Sequence, residues 1–322
     1  MSSIVLDFLS NLDEKKPKKI ILSRDLTSKG KIVVLDRQVV KYLTQSEKYL
    51  DDPSVTSFIS NFKINYDKSC NVITVMSAFY EGGSGNFENE SEKRRTAFWD
   101  IKGIDKCLEF ARVDENYFFK NLKKATHAFT LDSGVQEKNK KFSTIIHKTY
   151  EYYLELLQVG FNGASIIEYA KLLKKDMDTE GVSIGDPVAQ YCFSLLTNYR
   201  NAKEIFKVQG LQNCSEQKIL KKIYNVYSDL KVIQFLNGFR SHLAAAGVSG
   251  IEVCFISNDG ALNQFNSELE KSVQKVLSRR DETGRLEDTY NADINFDIFN
   301  PEVFSEKEFE DFKALFWEWA DQ

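Results

Sequence analysis

A glycine-rich stretch from Gly82 to Asn86 could hold a phosphate-binding or catalytic loop, because it follows a run that is typical of a β-strand. A P-loop needs Gly-Lys-Ser/Thr so that a lysine and a hydroxyl group reach phosphate and metal, and the residues after Gly85 supply neither. A nucleophile elbow needs a second glycine two residues after the serine, and Asn86 occupies that position. We therefore predict an exposed loop from Gly82 to Arg95.

Candidate metal ligands are also incomplete. Oxygen ligands alternate from Asp293 to Asp297 as in a calcium loop, but Ile298 holds the place of the required glycine. His147 and Glu151 are typical of a surface ion pair on a helix. The five cysteines form no C-x-x-C pair, which disfavours a disulfide framework and a zinc site. We predict no metal and no cofactor.

An enzyme stays open as an alternative class. A nuclease or nucleotide-processing enzyme could use acidic residues gathered near the predicted sheet, such as Asp25, Asp36 and Glu252. No catalytic motif in the sequence is complete, so the prediction leans away from catalysis and names no catalytic residue. A scaffold protein without nucleic-acid binding is the other alternative.

Charge is divided unequally along the chain. Residues 1–285 contain 41 Lys and Arg against 36 Asp and Glu, a net charge of +5, whereas residues 286–322 contain 2 against 11, a net charge of −9. The two parts sum to the −4 of the whole chain. Such an asymmetry indicates an interaction tail and a nucleic-acid partner.

The basic residues of the body occur in clusters of two or three. Clusters along a groove can follow a sugar–phosphate chain, since backbone binding needs positive charge rather than a base-reading element. Phe98 and Trp99 follow one cluster after two intervening residues and could offer a face for base stacking, although tryptophan is more often a core residue. The predicted nucleic-acid-binding residues are Lys93, Arg94, Arg95, Trp99, Lys123, Lys124, Lys140, Lys141, Lys174, Lys175, Lys221, Lys222, Arg279 and Arg280.

The acidic C terminus is also strongly aromatic. Ser305 and Glu308 have the spacing of a capping box, which predicts that a helix begins there. Four aromatic side chains then share one face, and their full burial is worth roughly 6–12 kcal/mol before entropy is counted. This face must pack either on its own chain or on a neighbouring subunit. The predicted oligomerisation residues are Phe309, Phe312, Phe316 and Trp319.

The spacing of apolar residues along the sequence predicts the strands and helices that position these residues. Runs rich in β-branched residues predict strands, the first two of them joined as a hairpin. Apolar residues at i, i+3, i+4 and i+7 predict helices. The predicted strands are 18–23, 31–36, 71–80 and 250–257; the predicted helices are 37–50, 142–158, 186–199, 216–236, 262–280 and the C-terminal segment from 305.

The sequence therefore predicts an α+β fold that is predominantly α-helical. Its three parts are a small mixed β/α region over 1–101, a large, mainly helical body over 102–285, and a C-terminal arm over 286–322 that contains an amphipathic helix. No apolar run is long enough to span a membrane, and the N terminus lacks the basic region of a secretory signal. We expect a cytoplasmic protein without a membrane partner.

These features together predict a self-assembling protein that binds single-stranded nucleic acid without sequence preference. The layout is similar in outline to viral nucleoproteins, to replication-factory proteins and to single-strand-binding proteins with acidic C termini. That similarity alone favours RNA over DNA. The expected partners are the nucleic acid and other copies of the chain, which would associate through the C-terminal arm.

Overall fold

The computed structural model describes residues 30–75, 90–113, 133–211, 214–245, 252–270, 274–280, 286–292 and 294–317. The fold is α+β and mostly helical, which confirms the predicted fold class. The strands are β1 (Lys31–Leu35), β2 (Val72–Thr74), β3 (Arg112–Val113), β4 (Glu252–Ile256), β5 (Gln274–Arg280) and β6 (Leu286–Ala292). The helices are α1 (Arg37–Thr44), α2 (Pro53–Tyr66), α3 (Glu90–Cys107), α4 (Ser133–Val159), α5 (Gly163–Glu180), α6 (Pro187–Leu196), α7 (Arg200–Phe206), α8 (Glu216–Ala245), α9 (Gly260–Glu270) and α10 (Glu306–Trp317).

The chain forms two compact units, and each is discontinuous in sequence. The first unit consists of Met1–Val135 and Phe235–Asn258, and the second of Gln136–Gln234 and Asp259–Gln322. The predicted boundaries at 101 and 285 were drawn from changes of pattern along the chain. That three-part division stays a prediction.

The first unit is built on a parallel sheet with the strand order β3-β2-β1-β4. Ile32 lies in register with Val72 on one side and with Val253 on the other. The middle residues of β1 are completely buried, as expected for a central parallel strand rich in β-branched residues. The prediction that residues 250–257 form a strand beside the N-terminal sheet is confirmed. The predicted hairpin between 18–23 and 31–36 is wrong, because β1 pairs with a parallel strand on each of its two edges. Residues 18–23 themselves lie outside the described residues.

The second unit is mainly helical, and α6 lies at its centre. All ten residues of α6 are buried, so the helix is enclosed on every side. Tyr191 of α6 contacts Phe265 of α9 edge-to-face, with 5.7 Å between the ring centroids. Strands β5 and β6 form a separate antiparallel pair.

Local capping explains where several helices begin. Asp186 accepts a hydrogen bond from the backbone N–H of Val188, and Pro187 occupies the first turn of α6. At α10, the hydroxyl of Ser305 accepts from the N–H of Glu308, whose carboxylate in turn accepts from the N–H of Ser305 at 2.8 Å. The predicted capping box is therefore confirmed.

Three predicted elements are corrected by the structure. The exposed loop predicted from Gly82 to Arg95 is wrong from Glu90 onward, because α3 begins there and its apolar positions follow the charged run. The helix predicted over 262–280 ends at Glu270, and Gln274–Arg280 pairs with β6 instead. The segment 291–304, whose sequence predicts an extended, turn-poor approach to the C-terminal helix, instead contains 3₁₀ turns at Phe296–Ile298 and Pro301–Val303.

Among the helices of the described ranges, none combines the length and the apolar character that crossing a bilayer requires.

Candidate nucleic-acid interface

Helix α3 of the first unit exposes two aromatic and three basic side chains on one face. At 3.6 residues per turn, the five positions fall within about 100° of the helix circumference. Trp99 is 65% exposed and Phe98 is 38% exposed, although both are apolar and large. The face, called here the α3 face, consists of Arg95, Phe98, Trp99, Lys102 and Lys106, and all five side chains are exposed.

The opposite side of α3 is aliphatic and buried. Ala97, Ile101 and Ile104 are at most 3% exposed, and they fix which side of the helix faces the core. Because the core takes these small and aliphatic residues, the bulkier aromatic side chains are left outside. The exposure of Trp99 is thus a consequence of how α3 packs.

Two contacts hold α3 on α1. Arg37 at the start of α1 forms an ion pair with Asp100 of α3, and both side chains are 13% exposed. Gly103 allows a close approach, since a Cβ at this position would lie 2.8 Å from Cγ2 of Thr44. The helix therefore has a defined rotation about its own axis, which keeps the α3 face pointing to solvent.

The chemistry of the α3 face suits a single strand. The rings of Phe98 and Trp99 meet edge-to-face at 5.3 Å, an arrangement that restricts the indole. An exposed indole offers a π-face to an unpaired base, and the surrounding cations can contact phosphates. Lys102 and Lys106 were not among the predicted residues. Their spacing of seven and eleven residues from Arg95 was the signal that could have found them.

The remaining predicted basic residues with described side chains lie in the second unit, on α4, α5 and α8. Adjacent residues on a helix point about 100° apart, and in each of these pairs one lysine is exposed while its neighbour is half-buried. Lys140, Lys175 and Lys221 are exposed, whereas Lys141 and Lys174 are half-buried. Nζ of Lys141 forms an ion pair with Glu137 at 3.2 Å.

Lys222 points into the second unit. Its ammonium donates a hydrogen bond to the carbonyl oxygen of Ile205 at 2.9 Å, at the end of α7. Burial lowers the pKa of Lys222, because desolvation disfavours the charged form. Its contact is therefore one of helix capping, and Lys222 is the least suited of the predicted residues to reach phosphate.

Several predicted residues have no described side chain. The structure describes the backbone of Lys93 and Arg94 in α3 and of Arg279 and Arg280 in β5. It does not describe the side chains of these four residues. Lys123, Lys124 and Trp319 lie outside the described residues entirely. The roles assigned to these residues stay predictions.

The aromatic face of α10 packs on its own chain. Phe312 is completely buried and Phe316 is 4% exposed. The ring of Phe316 lies 4.9 Å from that of Phe193 in α6 and 5.3 Å from that of Phe299. Of the two arrangements that the sequence allowed, the structure has packing within the chain. A role of Phe309, Phe312 and Phe316 in oligomerisation stays a prediction, and it would require exchange of these contacts between copies.

A second polar site lies at the carboxyl end of the parallel sheet. Asp36 follows β1, is 8% exposed, and accepts a hydrogen bond from the hydroxyl of Ser257, which follows β4. Glu252 lies at the opposite end of the sheet, where its carboxylate pairs with Nζ of Lys31 at 2.8 Å. Asp36 and Glu252 both lie at the sheet, as predicted, but they do not form one cluster, since the length of β1 separates them. Asp25 lies outside the described residues.

The described part of the chain contains no group of three or more His, Cys, Asp or Glu side chains that could hold a metal ion. Comparison with family models, with curated proteins and with solved structures finds no match. The geometry and chemistry of the two sites are therefore the basis for a functional proposal.

Proposed function

We propose that the protein binds single-stranded nucleic acid without sequence preference, and that the α3 face is the binding surface. The observation that carries the proposal is Trp99, which is 65% exposed on the same helix face as three basic side chains. An exposed indole ordinarily costs solvation free energy. Base stacking on this ring would recover that cost, because stacking contributes about 1–3 kcal/mol per base.

The arrangement favours single strands over duplexes. A base can stack on Trp99 only if it is free of its neighbours, whereas the bases of a duplex are covered on both faces. Arg95, Lys102 and Lys106 lie along about 16 Å of the helix axis, at 1.5 Å per residue. They can therefore contact successive phosphates of one extended strand. RNA is proposed over DNA only on the similarity of layout stated above, and self-assembly through α10 remains part of the proposal.

Equilibrium binding of a fluorescent homopolymer tests this surface. Trp99→Ala should weaken binding by about 5–150-fold, which corresponds to 1–3 kcal/mol. Ile64→Ala is the matched control, because Ile64 is 71% exposed on α2 and also loses an apolar side chain. Equal affinities of the wild type and the Trp99 variant would exclude the α3 face as a stacking surface.

The salt dependence of the binding affinity tests the proposed phosphate contacts. Replacing Arg95, Lys102 and Lys106 by alanine should reduce the slope of log K against log salt by about 2, at roughly 0.7 per phosphate contact on a single strand. The control replaces three exposed lysines elsewhere, Lys48, Lys68 and Lys171, and removes the same charge. If both variants lose the same slope, binding depends on net charge and not on this face.

A second candidate function is hydrolysis of a nucleotide or phosphodiester at the carboxyl end of the sheet. The strand order β3-β2-β1-β4 places a topological switch point between β1 and β4, where open parallel sheets commonly bind ligands. The hydrogen-bonded Asp36 and Ser257 lie at that point. A magnesium ion could bind with one carboxylate and the substrate phosphate as ligands, which does not require three acidic side chains.

Paired substitutions at helix N-caps test the second candidate. Asp36→Asn keeps the capping function toward the N–H of Gln38 but removes the negative charge, so hydrolysis of a homopolymer with magnesium should be lost while the fold is kept. Asp52→Asn is the control, because Asp52 caps α2 in the same way, through the N–H of Ser54. Turnover that survives in the Asp36 variant would overturn this candidate.

A further inference from the structure

Helix α10 presents an acidic face to solvent. Its aromatic side is buried within its own unit, and the carboxylate of Glu308 is seated against the start of α5, where a Cβ at residue 163 would lie 2.5 Å from its Oε2. The side left outside carries most of the segment's charge. The exposed carboxylates on α10 are those of Glu306, Glu310 and Asp311, called here the acidic face of α10; Asp297 and Glu302 are exposed in the 3₁₀ turns before the helix.

Few cations of the same segment offset these carboxylates. Lys307 is exposed, whereas Lys313 is half-buried, with its ammonium 4.5 Å from the ring centroid of Phe309 and paired with Glu310 at 2.7 Å. Residues 294–317 hold six carboxylates and two lysines, a net charge of −4. The segment therefore has the sign of charge that a phosphate chain has.

The α3 face and the acidic face of α10 are complementary. Three cations lie along α3, and α10 carries the exposed carboxylates of Glu306, Glu310 and Asp311 together with one exposed lysine, Lys307. Both helices are held by contacts within their own units. Two helix surfaces of opposite charge attract each other, whereas two surfaces of the same charge repel each other. A contact that joins two different faces of the same chain is heterologous, so it leads from copy to copy and does not close as a symmetric dimer does.

We propose that the acidic face of α10 of one copy docks on the α3 face of a second copy, and that nucleic acid competes with it for that face. The proposal rests on the proposed function, since the same five residues serve both partners. When a strand arrives, its phosphates would replace the carboxylates of the second copy on the α3 face, so the two copies would separate and the α3 face would bind the strand. Self-association and strand binding are therefore mutually exclusive at each α3 face.

Charge reversal separates this contact from other forms of assembly. One variant carries Arg95→Glu and Lys102→Glu, and the other carries Glu310→Lys and Asp311→Lys. Neither should self-associate in sedimentation velocity at low salt, because each presents like charges on both faces. Mixed in equal amounts, the two should associate, since the reversed α3 face of one meets the reversed α10 face of the other.

A third variant is the control. Glu168→Lys with Asp178→Lys reverses two exposed carboxylates of α5, and its self-association should equal that of the wild type. Thermal melting of each variant confirms that it is folded. Wild-type protein that does not associate more weakly as salt rises, a mixture that stays monomeric, or an α5 variant that dissociates equally would each overturn the proposal.

Competition gives the second readout. The α10 variant should bind a labelled homopolymer more tightly than the wild type at protein concentrations where the wild type self-associates, and equally well at high dilution. A gain that persists unchanged at high dilution would mean that α10 acts within one chain, which contradicts docking between copies.

Failure of the proposed function gives a different result. In that case, Trp99→Ala leaves strand binding unchanged while the mixture of charge variants still associates.

Discussion

Helices α3 and α10 are both amphipathic and both carry aromatic residues, but α10 buries Phe312 and Phe316, whereas α3 exposes its aromatic side chains. In α10, Phe312 and Phe316 are buried and the carboxylates are outside. In α3, Ile101 and Ile104 are buried, and Trp99 is outside among cations. The comparison teaches that aromatic content alone does not identify a core face. Where aliphatic residues already fill the core, exposed aromatics are available for a ligand.

The largest expected difference between the two helices is in stability. Phe312→Ala should lower the free energy of unfolding by about 3–5 kcal/mol, because it leaves a cavity under α10. Trp99→Ala should change it by no more than about 0.5 kcal/mol, since the side chain is mostly in water. Urea unfolding followed by circular dichroism measures both. A large loss for the Trp99 variant would show that its indole supports the fold.

Gly103 tests whether the packing of α3 on α1 orients the α3 face. Gly103→Ala brings a Cβ to within 2.9 Å of Cβ of Thr44, so the helices must move apart, at a cost of about 1–3 kcal/mol. Gly260→Ala is the control, because no atom lies within 4 Å of the added methyl group. We also expect a change in Trp99 fluorescence only in the first variant. Unchanged stability and fluorescence would mean that α3 is not fixed by this contact.

Lys221 and Lys222 extend the comparison of exposed and buried side chains to neighbouring residues of one helix, because Lys221 is exposed and Lys222 is half-buried. Lys222→Ala should destabilise the protein by about 1.5 kcal/mol through loss of the charged hydrogen bond to the carbonyl of Ile205. Lys221→Ala should leave stability within about 0.5 kcal/mol. Chemical denaturation of the two variants side by side decides this. Equal effects would contradict the inward position of Lys222.

The smallest expected effect is the pH dependence of α10. The hydroxyl of Ser305 and then its backbone N–H hold the pKa of Glu308 below its ordinary value. A pKa that is lower in the folded than in the unfolded protein contributes stability above the ordinary value of 4.5, and this contribution is lost as pH falls through the folded pKa.

Thermal melting from acidic to neutral pH measures this contribution. Glu308→Gln should flatten part of the dependence of the melting temperature on pH, because the variant lacks the carboxyl group that titrates. Identical pH profiles of the wild type and the Glu308 variant would show that this carboxylate does not anchor α10.

Local signals predicted the elements of this protein well wherever the pattern was complete within a short window. Proline after Asp186 predicted the start of α6, and the Ser305–Glu308 spacing predicted that of α10, because capping depends on only a few neighbouring residues. The start of α3 was missed because its charged first turn precedes the apolar residues that define its period. The sequence predicts a helix through 274–280 because the apolar spacing of α9 continues through these residues.

What the sequence by itself determined is the mostly helical α+β class, the positions of β1, β2 and β4, and the caps of α6 and α10. What only the tertiary structure decided is which partners these elements take. Lys31 and Glu252 pair although 221 residues separate them, and no local pattern encodes such a contact. The exposure of Trp99, the inward turn of Lys222 and the burial of Phe312 depend in the same way on distant residues. Capping is a short-range effect, whereas burial is set by whichever surfaces fill the core.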